Sequence, residues 1–297
     1  MNLLSGYPYW LVKDGLPFDY PKLEKSIGAD VIIMGGGISG ALVAYYLVNA
    51  GVNCLLIDGR TIGLGSTCGS TSLLQYEIDT PLCKLKDKVG LKVFDRTLVK
   101  KIEHHKKGVT LTTATGCILK SNKLVYATRY EAVQYVDKKI VTLHSTFACC
   151  SEQANGKEKC WNDDVLIWNT ADPYLYMRTT KDRRILIGGG DENFYNPGKR
   201  NDLLPGKVKK LVKDFNKVFP YIYFKPEFSW AGVFGSTSDG LPFIGNYKKL
   251  PNSLFALGFG GNGISFSLIA AEILTDIITG RQNNDEEIFS FERSGAL

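Results

Sequence analysis

Asp30-Val31-Ile32-Ile33-Met34-Gly35-Gly36-Gly37-Ile38-Ser39-Gly40 decides the fold. Val31–Met34 is an uninterrupted apolar run, as a strand buried on both faces of a parallel sheet requires. Beyond the glycines, Ala41, Leu42, Ala44, Tyr45, Leu47 and Val48 recur at helical spacing, and Gly51 supplies a stop. Residues 52–57 read as a second strand that ends at Asp58. Strand, glycine turn, helix, strand and acidic residue, in that order, predict a β-α-β unit of Rossmann type. The glycine spacing has a physical logic. Gly35 permits the tight turn, Gly37 lets a pyrophosphate approach the backbone, and Gly40 lets helix and strand pack closely. The first-turn N–H groups around Ile38 and Ser39 then face the phosphates, favoured by the helix dipole. Asp58, followed by Gly59 and Arg60, is placed to accept hydrogen bonds from a ribose.

This fingerprint suits FAD or NAD equally. The next loop, Gly63-Leu64-Gly65-Ser66-Thr67-Cys68-Gly69-Ser70-Thr71-Ser72, separates them. Its glycines and hydroxyl side chains offer many donors to a diphosphate and a flavin ring, and a nicotinamide enzyme has no need of it. Gly65, Ser66, Thr67, Thr71, Ser72 and Leu73 are the expected cofactor contacts.

The bulk properties narrow the class. The chain has 297 residues, 44% hydrophobic and 22% charged, with a formal net charge of +6. That is an ordinary globular balance with room for two domains. The lysines at 84, 86 and 88, at 100, 101, 106 and 107, and at 207, 209, 210 and 213 read as solvated faces. Aromatics do not interleave with them, so no nucleic-acid partner is expected. Seven cysteines without a C-x-x-C pair argue against a disulfide framework or zinc site. No signal peptide is read at the start, and no apolar run reaches the roughly 18–20 residues of a membrane span. A cytoplasmic protein is expected, with no metal.

Further along, residues 1–28 read as an aromatic, Pro-rich arm without much regular structure. Residues 91–115 read as short antiparallel strands and 123–128 as a buried strand. Strands follow at 140–148, 165–168, 174–178, 184–187 and 228–234. A helix is expected at 206–219, with Val208, Leu211, Val212, Phe215 and Phe219 on one face. A strand at 254–258 runs into a glycine-rich turn and a helix at about 264–278.

The C-terminal region carries two more motifs. Trp230-Ala231-Gly232 leads to Asp239-Gly240-Leu241-Pro242-Phe243-Ile244-Gly245, and Gly258-Phe259-Gly260-Gly261-Asn262-Gly263-Ile264 opens the last helix. With the N-terminal fingerprint, these resemble the D-amino-acid oxidase/glycine oxidase/sarcosine oxidase family of FAD-dependent oxidoreductases, from about residue 28 to the end. The resemblance implies an α/β fold, with a glutathione-reductase-like, Rossmann-type FAD domain (28–130 and 235–297). A smaller, mostly antiparallel β-sheet substrate domain (131–234) and an N-terminal arm (1–27) complete it. It implies noncovalent FAD, since covalent members use a Cys where Gly232 stands. It adds Val99, Gly235, Gly260, Gly261, Asn262, Gly263 and Ile264 to the cofactor contacts. The last helix N-terminus would stabilise negative charge on reduced flavin. It also implies oxidation of a C–N bond in a small amine or amino acid by hydride transfer to flavin. The cofactor carries that chemistry, so no nucleophile or triad is required.

Three departures from the family stand out. The stretch between the Ser/Thr/Gly loop and residues 91–97 is far shorter than in the family, with a junction near Lys88–Leu91 that looks like an internal deletion. The arginine and lysine that bind a substrate carboxylate in family members are replaced by Phe234 and Ser265. Arg129 stands where glycine usually follows the strand ending at Thr128. Tyr176, Arg178, Trp230 and Phe234 are the substrate-pocket candidates. A catalytically silent flavin-binding protein is the alternative reading. The oligomeric state is left open.

Overall fold

The computed structural model describes residues 4–15, 18–71, 91–136, 140–154, 161, 165–171 and 173–293. Two compact units account for them. One comprises described residues within 4–15, 65–71 and 143–234, the other those within 18–64, 91–142 and 235–293.

The second unit is built on a mixed sheet with the strand order β13-β14-β7-β2-β3-β4. β2 (Ile27–Met34) leads through the glycine turn into α2 (Ile38–Asn49), and β3 (Cys54–Ile57) lies parallel to β2. β4 (Lys92–Phe94) continues the sheet parallel to β3. β5 (Val99–His105) and β6 (Gly108–Thr113) form an antiparallel pair that joins β7 (Ile118–Tyr126), itself parallel to β2. β13 (Phe243–Asn246) pairs antiparallel with β14 (Ser253–Leu257), which lies parallel to β7 and feeds α4 (Gly263–Thr279). Val31, Ile33, Val43, Leu47, Leu56, Val125, Ala270 and Leu274 lie in one core beneath α2 and α4. A short α5 (Glu286–Phe289) follows. Arg293 then clamps Asp239 with two charge-assisted bonds, 2.7 and 3.0 Å, and reaches the carbonyls of Leu241 and Pro242. That arginine holds the Asp239 carboxyl down to about 2, so Asp239 fixes the turn before β13.

The first unit is an antiparallel sheet in the order β1-β12-β8-β11-β10-β9. Its strands are β1 (Leu4–Gly6), β8 (Thr142–Ser151), β9 (Ile167–Trp168), β10 (Leu175–Thr179), β11 (Ile185–Asn193) and β12 (Pro226–Ser236). α3 (Pro197–Val218) covers one face through Leu211 and Phe215, against Phe147, Met177 and Ile187. On the other face Tyr9, Ala148, Cys150, Tyr176, Leu186 and Trp230 pack together.

Several sequence expectations change. β4 is a parallel strand, because it pairs with β3 and not with its sequence neighbours. α3 begins at Pro197, well before Gly206. The Asn196 side chain caps the Lys199 N–H at 2.9 Å, and Pro197 sits at the first helical position, where its missing donor costs nothing. Pro205 inside the helix hides this start from the sequence. The arm is regular. β1 adds to the edge of β12, and α1 (Tyr9–Asp14) buries Tyr9.

Candidate functional site

The glycine turn after β2 is held by sterics that only glycine satisfies. Gly35 has φ +115°, and a Cβ there would lie 2.6 Å from the Ala127 carbonyl oxygen. Its N–H donates to Ile57 O at 2.8 Å. A Cβ on Gly40 would overlap the Gly35 carbonyl oxygen and lie 3.3 Å from Leu56 Cδ1. Gly37 is the N-cap of α2, with no side chain capping the first turn. The first turn, with Ile38 and Ser39, thus relies on backbone geometry for what it presents to an anion.

Asp58 follows β3 and takes two backbone N–H groups, Gly36 at 2.6 Å on one oxygen and Arg60 at 2.8 Å on the other. Each carboxylate oxygen keeps acceptor capacity for a further donor. Burial pushes the Asp58 carboxyl above its ordinary range, and the Arg60 and Gly36 N–H groups only partly counter it. The Arg60 guanidinium pairs with Glu131 at 2.6 Å. Leu98 lies over Gly59, where a Cβ would come within 3.2 Å of its Cδ1. Val99 opens β5, half-buried. Thr128, beside the Gly35 turn, has a buried hydroxyl with no partner. Arg129 opens a 3-10 turn, Arg129–Tyr135.

A second uncapped helix start belongs to α4, whose N-cap Asn262 makes no side-chain cap bond. Gly258 and Gly260 have positive φ, and the Gly260 N–H donates to Gly235 O at 2.9 Å. A Cβ on Gly235 would lie 2.9 Å from the Tyr130 ring, so packing alone requires glycine there. Gly261 and Asn262 are exposed, while Gly263, Ile264 and Ser265 are half-buried. The Ser39 and Ser267 hydroxyls meet at 2.7 Å in the core, and Ser267 also donates to Gly263 O at 2.5 Å. The two glycine-led helix starts are therefore pinned to each other.

In the first unit, the loop at residues 65–71 is held by its backbone. Trp230 Nε1 donates to Gly69 O at 2.9 Å, and Trp10 Nε1 donates to Ser70 O at 2.7 Å. The Tyr176 phenol hydrogen-bonds the Thr71 and Thr146 side chains, and burial pushes it well above the tyrosine range. Gly188 makes room for that ring, since a Cβ there would lie 2.7 Å from Tyr176 Cε2. Cys68 Sγ reaches Gly65 O at 3.0 Å. Strand alternation puts Tyr176, Arg178, Trp230 and Phe234 on one face of this sheet. Arg178 donates to Thr179 O at 3.1 Å, and burial lowers its guanidinium. Phe234 stacks on His144 with centroids 5.2 Å apart.

Of the cofactor contacts expected from sequence, Ser72 and Leu73 lie outside the described residues. Trp10, Thr128, Thr146, His144 and Ser267 joined these arrangements without a sequence signal. Trp10, Thr146, His144 and Ser267 each act through a partner distant in the chain. No group of three metal-ligating side chains, and no helix long and apolar enough to cross a membrane, occurs among the described residues.

Comparison with known proteins gives these arrangements a context. The family described as FAD dependent oxidoreductase matches residues 30–89 and 82–277, two segments that meet beside the junction read from the sequence. A glycine oxidase of Bacillus licheniformis is 26% identical over 218 residues, covering 70% of this chain and 55% of the relative. The chain spans about half the length of the curated relatives it matches. Among solved structures, L-proline dehydrogenase from P. horikoshii aligns with a TM-score of 0.74 at 17% identity, covering 90% of this chain and 97% of the other. Glycine oxidase from Geobacillus kaustophilus aligns with a TM-score of 0.64 at 15% identity, covering 90% and 99%.

Proposed function

This chain belongs to the FAD dependent oxidoreductase family, and from that premise we propose that it binds FAD noncovalently and oxidises a C–N bond of a small amine or amino acid. One observation carries the reading. Two glycine-led, uncapped helix starts stand in the same unit, locked together by Ser39 and Ser267. One suits a pyrophosphate. The other suits the negative charge that a reduced flavin develops. The residues fit the group in two further respects. Asp58 keeps acceptor capacity beside its two backbone donors, and the buried Thr128 hydroxyl lacks a partner next to the Gly35 turn.

In this reading Gly35, Gly37, Ile38, Ser39 and Gly40 receive the pyrophosphate, and Asp58 with Gly59 and Arg60 receives the adenosine ribose. Val99 meets the adenine through its backbone. Gly65, Ser66, Thr67 and Thr71, with Ser72 and Leu73, belong to the flavin side, as do Gly260, Gly261, Asn262, Gly263 and Ile264. Bound FAD supplies the hydride acceptor. The protein orients the amine and keeps water away. Arg178 supplies the cation for a substrate carboxylate, on the sheet face that also carries Tyr176, Trp230 and Phe234.

The test is anaerobic addition of a panel of primary and secondary amines and amino acids to the flavin-loaded protein. At least one class is expected to bleach the oxidised flavin absorbance. A flavin that no member of a broad panel bleaches would contradict the proposed chemistry and leave a flavin-binding protein.

A further inference from the structure

The N-terminal arm precedes the segment that the family model matches, which begins at residue 30. It nevertheless touches the loop that the proposed function assigns to the flavin. We propose that the arm is a built-in clamp, with Trp10 as the positioning residue that sets the backbone of residues 69–71 for the cofactor. The proposal rests on the reading that this loop serves FAD.

The loop is composed for freedom. Gly65, Ser66, Thr67, Gly69, Ser70 and Thr71 have small side chains. Ordering such a segment when a ligand arrives costs backbone conformational entropy at every residue, and holding it in advance removes that cost from binding. Two consecutive carbonyls are held by indole N–H groups. Trp230 takes Gly69 O from β12, within the family-matched segment, and Trp10 takes Ser70 O from α1, outside it. The arm also restricts the loop sterically, since a Cβ on Gly69 would lie 2.5 Å from Leu4 Cδ1.

The arm is itself firmly seated. Leu4, Ser5 and Gly6 pair with Gly232, Ala231 and Trp230 of β12. Tyr9 is 2% exposed and donates its phenol to Asp182. Burial works against the Asp182 charge, but hydrogen bonds from Tyr9, Thr180 and Arg184 outweigh it and hold that carboxyl down to about 2. Tyr9 and Trp10 pack edge to face, with centroids 4.9 Å apart. The indole is thereby delivered from an anchored turn, as a positioning group should be.

Trp10→Phe in the full chain tests this, because it removes the indole N–H, with part of the indole's bulk, and keeps an aromatic ring against Tyr9. The amides of residues 65–71 are expected to exchange with solvent about tenfold faster than in the wild type, both without and with FAD, while those of β11 keep their rates. The FAD dissociation constant is expected to rise about three- to tenfold, the effect of one lost hydrogen bond. Unchanged loop exchange would overturn the clamp, and so would a loss of protection shared equally by β11. Faster loop exchange with an unchanged FAD dissociation constant would also overturn the positioning role. If the wild type takes up no FAD, the cofactor reading falls, and loop exchange still decides whether the arm holds the loop.

Discussion

Gly40→Ala is expected to yield a protein purified without flavin, with FAD affinity lowered by at least about a hundredfold. The cause is steric. An alanine Cβ would overlap the Gly35 carbonyl oxygen and lie 3.1 Å from its carbon. Both are backbone atoms at the strand end, so no side-chain rotation relieves the clash. α2 must move away from β2, or the turn must open. α2 buries Val43, Ala44 and Leu47 completely, so displacing it disturbs the core beneath the sheet. A stability loss of about 1–3 kcal/mol follows from overpacking of this kind. The N–H groups of the first turn move with the helix, and displaced donors no longer fit a pyrophosphate. Denaturant unfolding and FAD titration of the variant read the two effects separately. A Gly40→Ala protein that holds FAD at wild-type affinity would show that the turn does not receive the pyrophosphate.

Removing the acidic group after β3 is expected to act nearly as strongly. Asp58→Ala leaves the Gly36 and Arg60 N–H groups without their acceptor and removes the group proposed to take the ribose. Loss of a charge-assisted hydrogen bond of this sort corresponds to about 1.5–3 kcal/mol, or roughly a 10- to 150-fold weaker FAD complex. The pH dependence separates this role from simple support of the turn. Burial raises the Asp58 carboxyl in the folded protein. Its contribution to stability is therefore fully present below its unfolded value, and is lost as pH rises through its folded value. FAD favours the opposite state, because ribose hydroxyls donate to the ionised carboxylate. FAD affinity should thus fall as pH is lowered through the raised folded value, beginning above the ~3.9 of a free aspartate. Asp58→Asn should lose this portion of the pH dependence. Titrations across the acid range in both proteins check it. Identical pH profiles would show that Asp58 does not meet the cofactor.

What could be read from the sequence depended on how local its cause was. The β2-turn-α2-β3 unit was legible because apolar runs, helical spacing and glycines at fixed offsets all act within a short span. The turn before α4 was legible for the same reason. The direction of β4 was not, since pairing with β3 is a tertiary choice that its three residues do not encode. The early start of α3 was obscured by Pro205, although Asn196 and Pro197 carry an ordinary start signal. In the turn, the steric need for glycine at 35 and 40 could be read from spacing alone. The steric need for Gly235 could not, because it arises from Val141 and Tyr130, far away in the chain. Trp10 was visible as one aromatic among several in the arm. Only the fold shows that its N–H ends on Ser70 O. Tyr176 and Trp230 read from the sequence as pocket aromatics, and in the fold their polar tips are turned to residues 71 and 69 respectively. Hydrogen bonds between distant segments leave no periodicity to find.

The most direct test of the account is the cofactor itself. Protein purified in the dark, or reconstituted with FAD, should carry one FAD per chain with an oxidised flavin spectrum. Denaturation should release all of it, identified by mass as FAD. A colourless protein that takes up no FAD on reconstitution would contradict the account at its centre.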